Sequence, residues 1–404
     1  MKNKILTRTI LLVSFVSLFT DVASEMLYPI MPVYLRSIGF SVLLIGILEG
    51  LAEATAGLSK GFFGHLSDIR QRRVPFIRWG YTLSAFSKPM MAVFTFPVWI
   101  FFARTLDRFG KGIRTSARDA MLSDETTPEH KGKVFGFHRS MDTVGAAIGP
   151  AFALIFLYFY PEQYKWLFFI AFLPGMIAIG MTFWLKDKSA TSPTPPLQGR
   201  REGEGLKVGF FSYLKYWSRS PKKYKLLVSG LLIFTLFNSS DAFLLLALKN
   251  QGMSDTHMIG FYIFFNLVYA LLSYPVGILA DKSGLKTMLV VGLIIFSGVY
   301  FFFGFASSFI AFGMLFLFYG IYYASTEGIS KALISNMAAK SDTATAIGFY
   351  NSFASIFTML ASSLAGLLWY SIGPKAMFMV SGTGVFMVSL YLLLLFNRKQ
   401  DPGI

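Results

Sequence analysis

The sequence contains about twelve apolar stretches, each long enough to cross a lipid bilayer as a helix, which takes roughly 20 residues. One long polar segment, rich in proline and charge, separates the sixth stretch from the seventh. This pattern predicts an all-α membrane protein with twelve transmembrane helices in two six-helix bundles. The expected spans are residues 6–36, 41–66, 75–95, 97–118, 133–159, 165–185, 223–248, 257–280, 286–306, 308–332, 344–371 and 374–396.

The polar segment also sets the expected domains. We expect an N-terminal six-helix bundle at residues 1–185, a cytoplasmic linker with an amphipathic segment at 186–222, and a C-terminal six-helix bundle at 223–404. Between Lys207 and Lys223, apolar and basic residues interleave, which suits a helix lying on an anionic membrane surface. An ordinary solvated linker is the alternative.

Composition excludes several classes of function. Only 14% of the residues are charged, against about 25% in a soluble domain. The absence of cysteine excludes disulfides, thiolate metal ligands and a cysteine nucleophile. The chain also lacks a Walker phosphate loop, a His-Glu-x-x-His helix and a Gly-x-Ser-x-Gly elbow. We therefore expect no enzyme activity, no cofactor and no bound metal.

The positive charges are sorted along the chain and predict its orientation. The net charge is +16, yet only Arg36, Lys165, Lys249 and Lys375 fall in loops expected outside. Such a bias places both termini in the cytoplasm. We expect a multi-pass protein of a bacterial-type inner (plasma) membrane, a monomer in contact with the lipid bilayer; the charge needs no nucleic acid as partner.

Two short patterns recur between the halves. Gly64–Asp68, after the second span, matches Gly277–Asp281, after the eighth, at an offset of 213 residues. Gly136–Ser140 matches Gly348–Ser352 at an offset of 212. Both halves keep one register through several helices, which indicates parallel repeats related by an axis along the membrane normal.

The twelve spans, the two halves, the basic linker and the Gly-x-x-x-Asp elements resemble the major facilitator superfamily over essentially the whole chain. The segment Gly145-Ala146-Ala147-Ile148-Gly149-Pro150 resembles the motif associated with the drug:proton antiporters of that family. The first loop element departs from the family pattern, with Ile69 in place of a basic residue and Gln71 in place of glycine. The resemblance implies a central path surrounded by spans one, four, seven and ten.

Gly145 and Gly149 share one helix face, so that another helix can approach closely, and Pro150 favours a bend. These helix-packing residues have two interpretations, a tight seal near the outer side or an ordinary close helix pair.

A set of charged residues near the inner ends of the spans indicates an inner gate. A carboxylate that ends one helix and faces arginines on a neighbouring loop can hold the two bundles together. A simple turn or helix cap is the alternative. Glu327 and Lys331 are four residues apart near the inner end of span ten and predict a gate or a helix-end ion pair. The expected gate residues are Asp68, Arg72, Arg73, Asp281, Lys282, Glu327 and Lys331.

Ionisable residues inside the spans provide the evidence for proton coupling, because each costs about 2.5–3.5 kcal/mol at a helix centre unless it is paired or hydrated. Asp21 with Glu25, and Glu49 with Glu53, are four residues apart and project from one helix face. We expect Asp21 and Glu53 to be the leading protonation sites. The alternative is that these acids form buried salt bridges that fix helix register. The proton-coupling candidates are Asp21, Glu25, Glu49, Glu53 and Asp142.

A second set of residues is expected at the substrate cavity. Most acids within spans belong to the first half, whereas the second half offers aromatic and polar side chains. The substrate-cavity candidates are Arg104, Arg108, Arg139, Asn238, Asp241, Tyr322, Tyr323 and Asn351.

These features favour a secondary active transporter, a proton-coupled antiporter that exports a small organic, drug-like or amphiphilic compound by alternating access. On the same fold, the arginines could instead bind an anionic metabolite, or the carboxylates a divalent metal ion. A membrane receptor or assembly factor without transport is a third hypothesis.

Overall fold

The computed structural model describes residues 5–187 and 208–397, and all regular structure within these two ranges is helical. The first range contains seven α-helices. They are α1 (Arg8–Glu25), α2 (Met31–Ser37), α3 (Val42–Arg70), α4 (Val74–Val93), α5 (Pro97–Asp124), α6 (Lys131–Phe159) and α7 (Tyr164–Thr182).

The second range contains eight more α-helices and forms the second half of the fold. They are α8 (Lys215–Arg219), α9 (Lys222–Phe237), α10 (Ala242–Asn250), α11 (Asp255–Ser283), α12 (Leu285–Phe303), α13 (Phe309–Met337), α14 (Thr343–Ser371) and α15 (Pro374–Asn397). Gly284, which joins α11 to α12 with a φ of 97°, makes the tight turn that a residue with a side chain rarely adopts.

Two predicted spans are each built from two helices. The first span is interrupted after Glu25 and resumes at Met31, where a proline follows in the first turn. The seventh span is interrupted between Phe237 and Ala242. The described helices thus supply the twelve expected spans in two six-helix bundles.

Eight helical stretches among the described residues are long and apolar enough to cross a membrane. The remaining predicted spans fall on α1, α3, α4 and α5, which carry charged residues along their length. The hydropathy of the first half is therefore diluted by the residues that form its interior.

The bundles meet along two long helix pairs, α3 with α14 and α6 with α11. We call these the two seams. Both seams begin at the same end of the molecule, which we call the closed face. Helices α3 and α11 end there, and α6 and α14 begin there. On the predicted topology, the closed face is cytoplasmic.

Apolar packing differs between the halves. The C-terminal half has one continuous buried apolar cluster that extends along α9 to α15. The N-terminal half has two, one near the closed face around Ile10 and Ile113, and one at the opposite end around Leu27 and Ile100. A layer of charged side chains lies between these two clusters.

Part of the expected amphipathic linker segment is described, whereas residues 188–207 lie outside the described ranges. Residues 208–219 pack across the closed face, where Tyr213 and Tyr216 are buried, while Phe210 and Phe211 are exposed. The segment is thus docked against the protein on one side only.

Candidate functional site

A central cavity of about 810 Å³ lies between the two bundles. Helix α3 forms its N-terminal wall through Glu49, Glu53 and Lys60. Helices α9, α13 and α14, together with the break before α10, form the opposite wall. The size suits a small organic molecule.

The cavity widens away from the closed face. Along α3, Gly61 and Gly57 are buried, whereas Glu53 and Gly50 are exposed. Helix α14 repeats this change, because Ser352 is buried and residues 358–360 are exposed. The two bundles therefore separate toward the end opposite the closed face, and the cavity opens there.

Ion pairs between the bundles close the floor of the cavity. Glu327 of α13 accepts from Nη2 of Arg139 on α6 at 2.7 Å, and Lys331 of α13 lies 2.9 Å from Oδ2 of Asp119 on α5. Nearby, Nζ of Lys60 donates to Oγ of Ser355 at 3.3 Å. One turn of α13 thus binds two helices of the other bundle.

The floor continues into the N-terminal bundle as a charge network. Arg118 donates to Oδ1 of Asp119 at 2.9 Å and lies 4.0 Å from Asp142. Asp142 also lies 3.4 Å from Arg139 and 3.6 Å from His138. Asp142 is therefore a shared acceptor in this network and has cations on several sides.

A second network lies nearer the open end. Arg104 binds Glu49 through two hydrogen bonds, Nε to Oε1 at 2.9 Å and Nη2 to Oε2 at 2.8 Å. Its remaining nitrogen lies 3.4 Å from Asp107, which also accepts from Ser84 at 2.5 Å and lies 3.5 Å from Lys88. Such a bidentate pair holds Arg104 in one orientation.

Between the two networks lies a small cavity of about 30 Å³, enough for water. Its walls include Asp21 and Glu25 of α1, which form no ion pair within 4 Å among the described residues. Arg108 and Arg114 also line it, and their Nε atoms are buried without a hydrogen-bond partner in the described chain. Asp21 and Glu25 therefore face Arg108 and Arg114 here without direct contact.

The C-terminal wall is aromatic and holds one carboxylate in the break between α9 and α10. Oδ1 of Asp241 accepts from the hydroxyl of Tyr319 at 2.6 Å and from that of Tyr323 at 3.0 Å. Nδ2 of Asn238 donates to the hydroxyl of Tyr322 at 3.1 Å. Apart from Glu327 and Lys331 at the floor, Asp241 is the one charged side chain that this wall presents to the cavity among the described residues.

Family comparison agrees with this architecture. The profile of the Major Facilitator Superfamily matches residues 13–268 and 250–403. The chain belongs to the Major Facilitator Superfamily. It is a multi-pass membrane transporter whose family members bind small-molecule substrates and lie in a lipid bilayer.

Two relatives cover nearly the whole transporter. The uncharacterized MFS-type transporter MJ1317 of Methanocaldococcus jannaschii is 32% identical over 394 residues, which are 96% of this chain and 95% of the relative. The uncharacterized protein Rv2265 of Mycobacterium tuberculosis is 24% identical over 379 residues, 91% of this chain and 88% of the relative.

Solved structures show the same fold at low identity. The human organic anion transporter MFSD10 (TETRAN) has a TM-score of 0.76 at 16% identity and covers 95% of this chain and 99% of its own. The fucose:proton symporter FucP of E. coli has a TM-score of 0.77 at 12% identity, covering 98% and 100%. At these identities the similarity concerns the fold alone.

The transporter places most predicted cavity residues at the central cavity. Asn238, Asp241, Tyr322, Tyr323 and Asn351 line it. The three arginines of that prediction do not, and this part of the prediction is corrected. Arg104 and Arg108 line the small cavity, and Arg139 binds Glu327 at the floor. Arg104 is held by Glu49 of α3 and Arg139 by Glu327 of α13, whereas Arg108 forms no ion pair among the described residues.

The predicted coupling residues fall into different surroundings. Glu49 and Asp142 belong to ion-pair networks, with Arg104 and Arg139 respectively, whereas Asp21 and Glu25 line the small cavity. Glu53 lines the central cavity. It forms no ion pair within 4 Å among the described residues, although Lys60, Arg108 and Lys111 lie within electrostatic range of it.

At the closed face, Asp68 holds the bundles together differently from the expectation. Its carboxylate accepts from the backbone N–H groups of Ala344 and Thr345, at 3.3 and 2.5 Å, at the beginning of α14. Arg73 of the following loop lies 2.6 Å from it. The contact across the seam is therefore between a carboxylate and a helix N-terminus, and the arginine belongs to the same bundle.

Asp281 repeats this contact on the other seam. It accepts from the N–H groups of Gly132 at 2.8 Å and Lys133 at 2.9 Å, at the beginning of α6. Arg72 and Lys282, also predicted gate residues, are exposed and contribute no ion pair among the described residues. The prediction is therefore corrected for these two residues, whose side chains are solvated.

The residues Gly145, Gly149 and Pro150 lie on α6 where it packs against α1 of the same bundle. A Cβ atom on Gly145 would lie 2.6 Å from the carbonyl oxygen of Leu18, and one on Gly149 would lie 2.6 Å from that of Val22. These glycines therefore permit a close helix pair within the N-terminal bundle. Helix α6 continues past Pro150 to Phe159.

Several charged residues were not singled out from the sequence, namely Asp119 and Arg118 of the floor network and Lys111 and Arg114 of the small cavity. A signal existed, because Arg104, Arg108, Lys111 and Arg118 follow one another at helical spacing along α5. Within the described ranges, no group of three or more His, Asp or Glu side chains could hold a metal ion.

Proposed function

We propose that this transporter is a proton-coupled antiporter that exports an organic, drug-like or amphiphilic compound. The observation that supports the proposal most is the small cavity, where Asp21 and Glu25 face Arg108 and Arg114 without forming ion pairs. A buried carboxylate without a counter-ion takes up a proton, whereas one that contacts an arginine remains charged. A small shift of α1 against α5 would convert the carboxylates of Asp21 and Glu25 from the first condition, without a counter-ion, to the second, in contact with an arginine.

Coupling requires that proton occupancy and conformation depend on each other. Glu53 is suited to connect them, because it lines the central cavity on α3 while Arg108 and Lys111 lie within electrostatic range. A cationic substrate near Glu53 would compete with a proton for the same negative charge. We therefore assign Asp21 and Glu53 as the principal proton-coupling residues, with Glu25 next.

Alternating access requires the floor of the cavity to open. In the present conformation Glu327 binds Arg139 and Lys331 binds Asp119, so both contacts must break for the closed face to separate. On the predicted topology this conformation opens outward from a bacterial-type inner membrane, with both termini in the cytoplasm. We take the monomer as the transporting unit.

The lining of the central cavity favours a neutral or cationic cargo. Its carboxylates are Glu49, Glu53, Asp241 and Glu327, while its ammonium groups are Lys60 and Lys331. Lys331 is engaged by Asp119, which leaves little positive charge for an anion. An anionic metabolite, as the name of MFSD10 suggests for that protein, is the second candidate, supported by Lys60 at the floor.

The first prediction tests coupling in proteoliposomes. Purified transporter is reconstituted with an imposed pH gradient, and proton flux is recorded on addition of organic cations, organic anions or divalent metal ions. We expect organic cations to elicit proton flux in the wild type. Asp21→Asn and Glu53→Gln should abolish gradient-driven transport, because an amide cannot exchange a proton.

The matched control is Glu129→Gln, which removes an exposed carboxylate in the loop before α6 and should leave transport unchanged. Wild-type rates in both Asp21→Asn and Glu53→Gln would overturn the coupling assignment. Flux elicited only by anions would support the second candidate, and the absence of any flux would support a receptor or assembly factor.

A further inference from the structure

The break between α9 and α10 presents an acid that does not cap its own helix. Asp241 occupies the N-cap position of α10, where an aspartate usually accepts from the backbone of the first turn. Its φ and ψ are helical, at −53° and −22°, and its side chain makes no such bond. The carboxylate points instead toward the tyrosines of α13.

The hydrogen bonds to Asp241 leave one of its oxygens unused. Both tyrosine hydroxyls, of Tyr319 and Tyr323, donate to Oδ1. Oδ2 accepts no hydrogen bond from the described residues, and Asp241 lines the central cavity. The tyrosines therefore fix the orientation of the carboxylate while its second oxygen is left to the cavity.

Asp241 has no cation to balance its charge among the described residues. The two lysines of the cavity are directed elsewhere, because Lys60 donates to Ser355 and Lys331 pairs with Asp119. Two neutral phenol donors stabilise a carboxylate only in part. A cation that enters the cavity would complete this arrangement.

Two further polar atoms at the cavity lack partners. Oδ1 of Asn238, an acceptor in the same break, and Nδ2 of Asn351, a donor on α14, are buried without a hydrogen bond in the described chain. A buried polar atom without a partner is destabilising and is expected to be satisfied in some functional state. The acceptor on Asn238 matches an N–H donor of a ligand.

The rings around Asp241 suit an organic cation. Tyr322 and Tyr323 lie with centroids 4.8 Å apart, and Tyr319 meets Tyr323 edge-on at 5.1 Å. Aromatic faces attract ammonium groups and pack against apolar substituents. One carboxylate with phenol donors is a poor site for a divalent metal, which prefers several oxygen ligands of negative charge.

We propose that Asp241, Asn238 and the tyrosines of α13 form the recognition site for a protonated primary or secondary amine. One N–H bond goes to Oδ2 of Asp241 and another to Oδ1 of Asn238, while Tyr322 and Tyr323 cover the apolar part. This site deepens the proposed function by naming the substrate class, and it separates substrate recognition in the C-terminal bundle from proton exchange in the N-terminal bundle.

The test measures binding without any gradient, so that it does not depend on proton coupling. Transporter in lipid nanodiscs is titrated calorimetrically with naphthylmethylamine, with naphthylmethanol as the neutral isostere and with the N-trimethylated ammonium, which has no N–H. We expect the wild type to bind the amine about 10- to 100-fold more tightly than the alcohol, the range of a charge-assisted hydrogen bond.

The variants separate charge from hydrogen bonding. Asp241→Asn should remove the preference for the amine while alcohol binding changes little, and Asp241→Glu should restore part of that preference. Asn238→Ala should weaken binding of the amine but not of the trimethylated ammonium. Asn238→Ala keeps the proposal testable if Asp241→Asn does not fold. Glu129→Gln is the control that should not change binding.

The proposal is overturned if the wild type binds amine and alcohol equally, or if folded Asp241→Asn keeps the full preference for the amine. If Asn238→Ala weakens binding of the amine and of the trimethylated ammonium equally, Asn238 does not accept a hydrogen bond from the ligand. If the wild type recognises the amine in nanodiscs but shows no proton flux in vesicles, the proposed antiport is overturned while the proposed amine site is supported.

Discussion

The two seams of the closed face are built from matched positions but are not equally reinforced. Asp68 and Asp281 each accept from the first N–H groups of a helix in the other bundle. Ser352 donates to the carbonyl of Gly57 at 2.6 Å, and Ser140 donates to that of Ala270 at 2.5 Å. The internal repeat thus specifies the same contacts twice.

The differences lie around these shared contacts. Asp68 is buried and has Arg73 beside it, whereas Asp281 is half-buried and has no ion pair among the described residues. Of the linker, the described residues 208–219 pack at the α3–α14 seam, where Trp217 stacks on Phe349 with centroids 5.4 Å apart. The repeat therefore sets how closely the helices approach, while residues outside it set how firmly each seam is held.

The absence of cysteine provides a direct way to test this comparison. Ser352→Cys and Ser140→Cys place one thiol at each seam with minimal change of volume. Their rates of alkylation by a maleimide that does not cross membranes report how often each seam opens. Without further substitutions, both reporter cysteines should react slowly, because the side chains at these positions are engaged between helices.

The largest effect is expected from glycines at the seams. A Cβ atom on Gly64 would lie against the carbonyl oxygen of Ala344, and one on Gly277 against that of Gly132. Gly64→Ala and Gly277→Ala should each destabilise closure by about 3 kcal/mol and greatly accelerate alkylation at their own seams. Gly298→Ala is the matched control, because nothing lies within 4 Å of its added Cβ atom.

Slow alkylation in both seam variants would contradict the packing described here. A response at only one seam would break the equivalence of the two halves.

An intermediate effect is expected from the two aspartates, and here the seams should differ. Asp68→Asn weakens hydrogen bonds to α14 and loses the ion pair with Arg73, which corresponds to about 2 kcal/mol. Asp281→Asn weakens two hydrogen bonds at a partly solvated position, about 1 kcal/mol. Asp68→Asn should therefore accelerate alkylation of the Ser352→Cys reporter by a larger factor than Asp281→Asn accelerates alkylation of the Ser140→Cys reporter. Equal factors at the two seams would contradict this order.

The smallest effect is expected from the linker. Trp217→Ala removes the stack on Phe349 and should accelerate alkylation of Ser352→Cys by an amount that corresponds to about 1 kcal/mol or less. Alkylation of Ser140→Cys should not change, because the described residues 208–219 lie at the other seam. A comparable increase at both seams would show that the linker acts on the whole closed face.

Much of the architecture could be predicted from the sequence, for definite physical reasons. Long apolar stretches predict where the helices cross the bilayer, and the recurrence of Gly64–Asp68 at Gly277–Asp281 indicates matched halves. The breaks after Glu25 and after Phe237 were missed, because apolar composition continues through both. An apolar run determines length but not backbone continuity.

The partners of the charged residues could not be predicted. Glu327 and Lys331 were expected to act together because of their spacing, yet each binds a different helix of the other bundle. The end of α5 is a second example, since the expected span stopped at residue 118 and the helix continues to Asp124. Asp119 thereby enters the interior. Such pairings depend on how helices are arranged in space, which sequence spacing does not specify.

The reciprocal contacts of Asp68 and Asp281 have a consequence for the origin of the chain. Each half contributes one acid and receives the acid of the other half at the start of a helix. Two identical copies of a six-helix ancestor, related by a twofold axis, would have satisfied both contacts at once. Joining two such copies would need only a tether between them, because the contacts between the halves would already be in place. Each half could then change separately, as the charged interior of the first half and the aromatic wall of the second half differ in this chain.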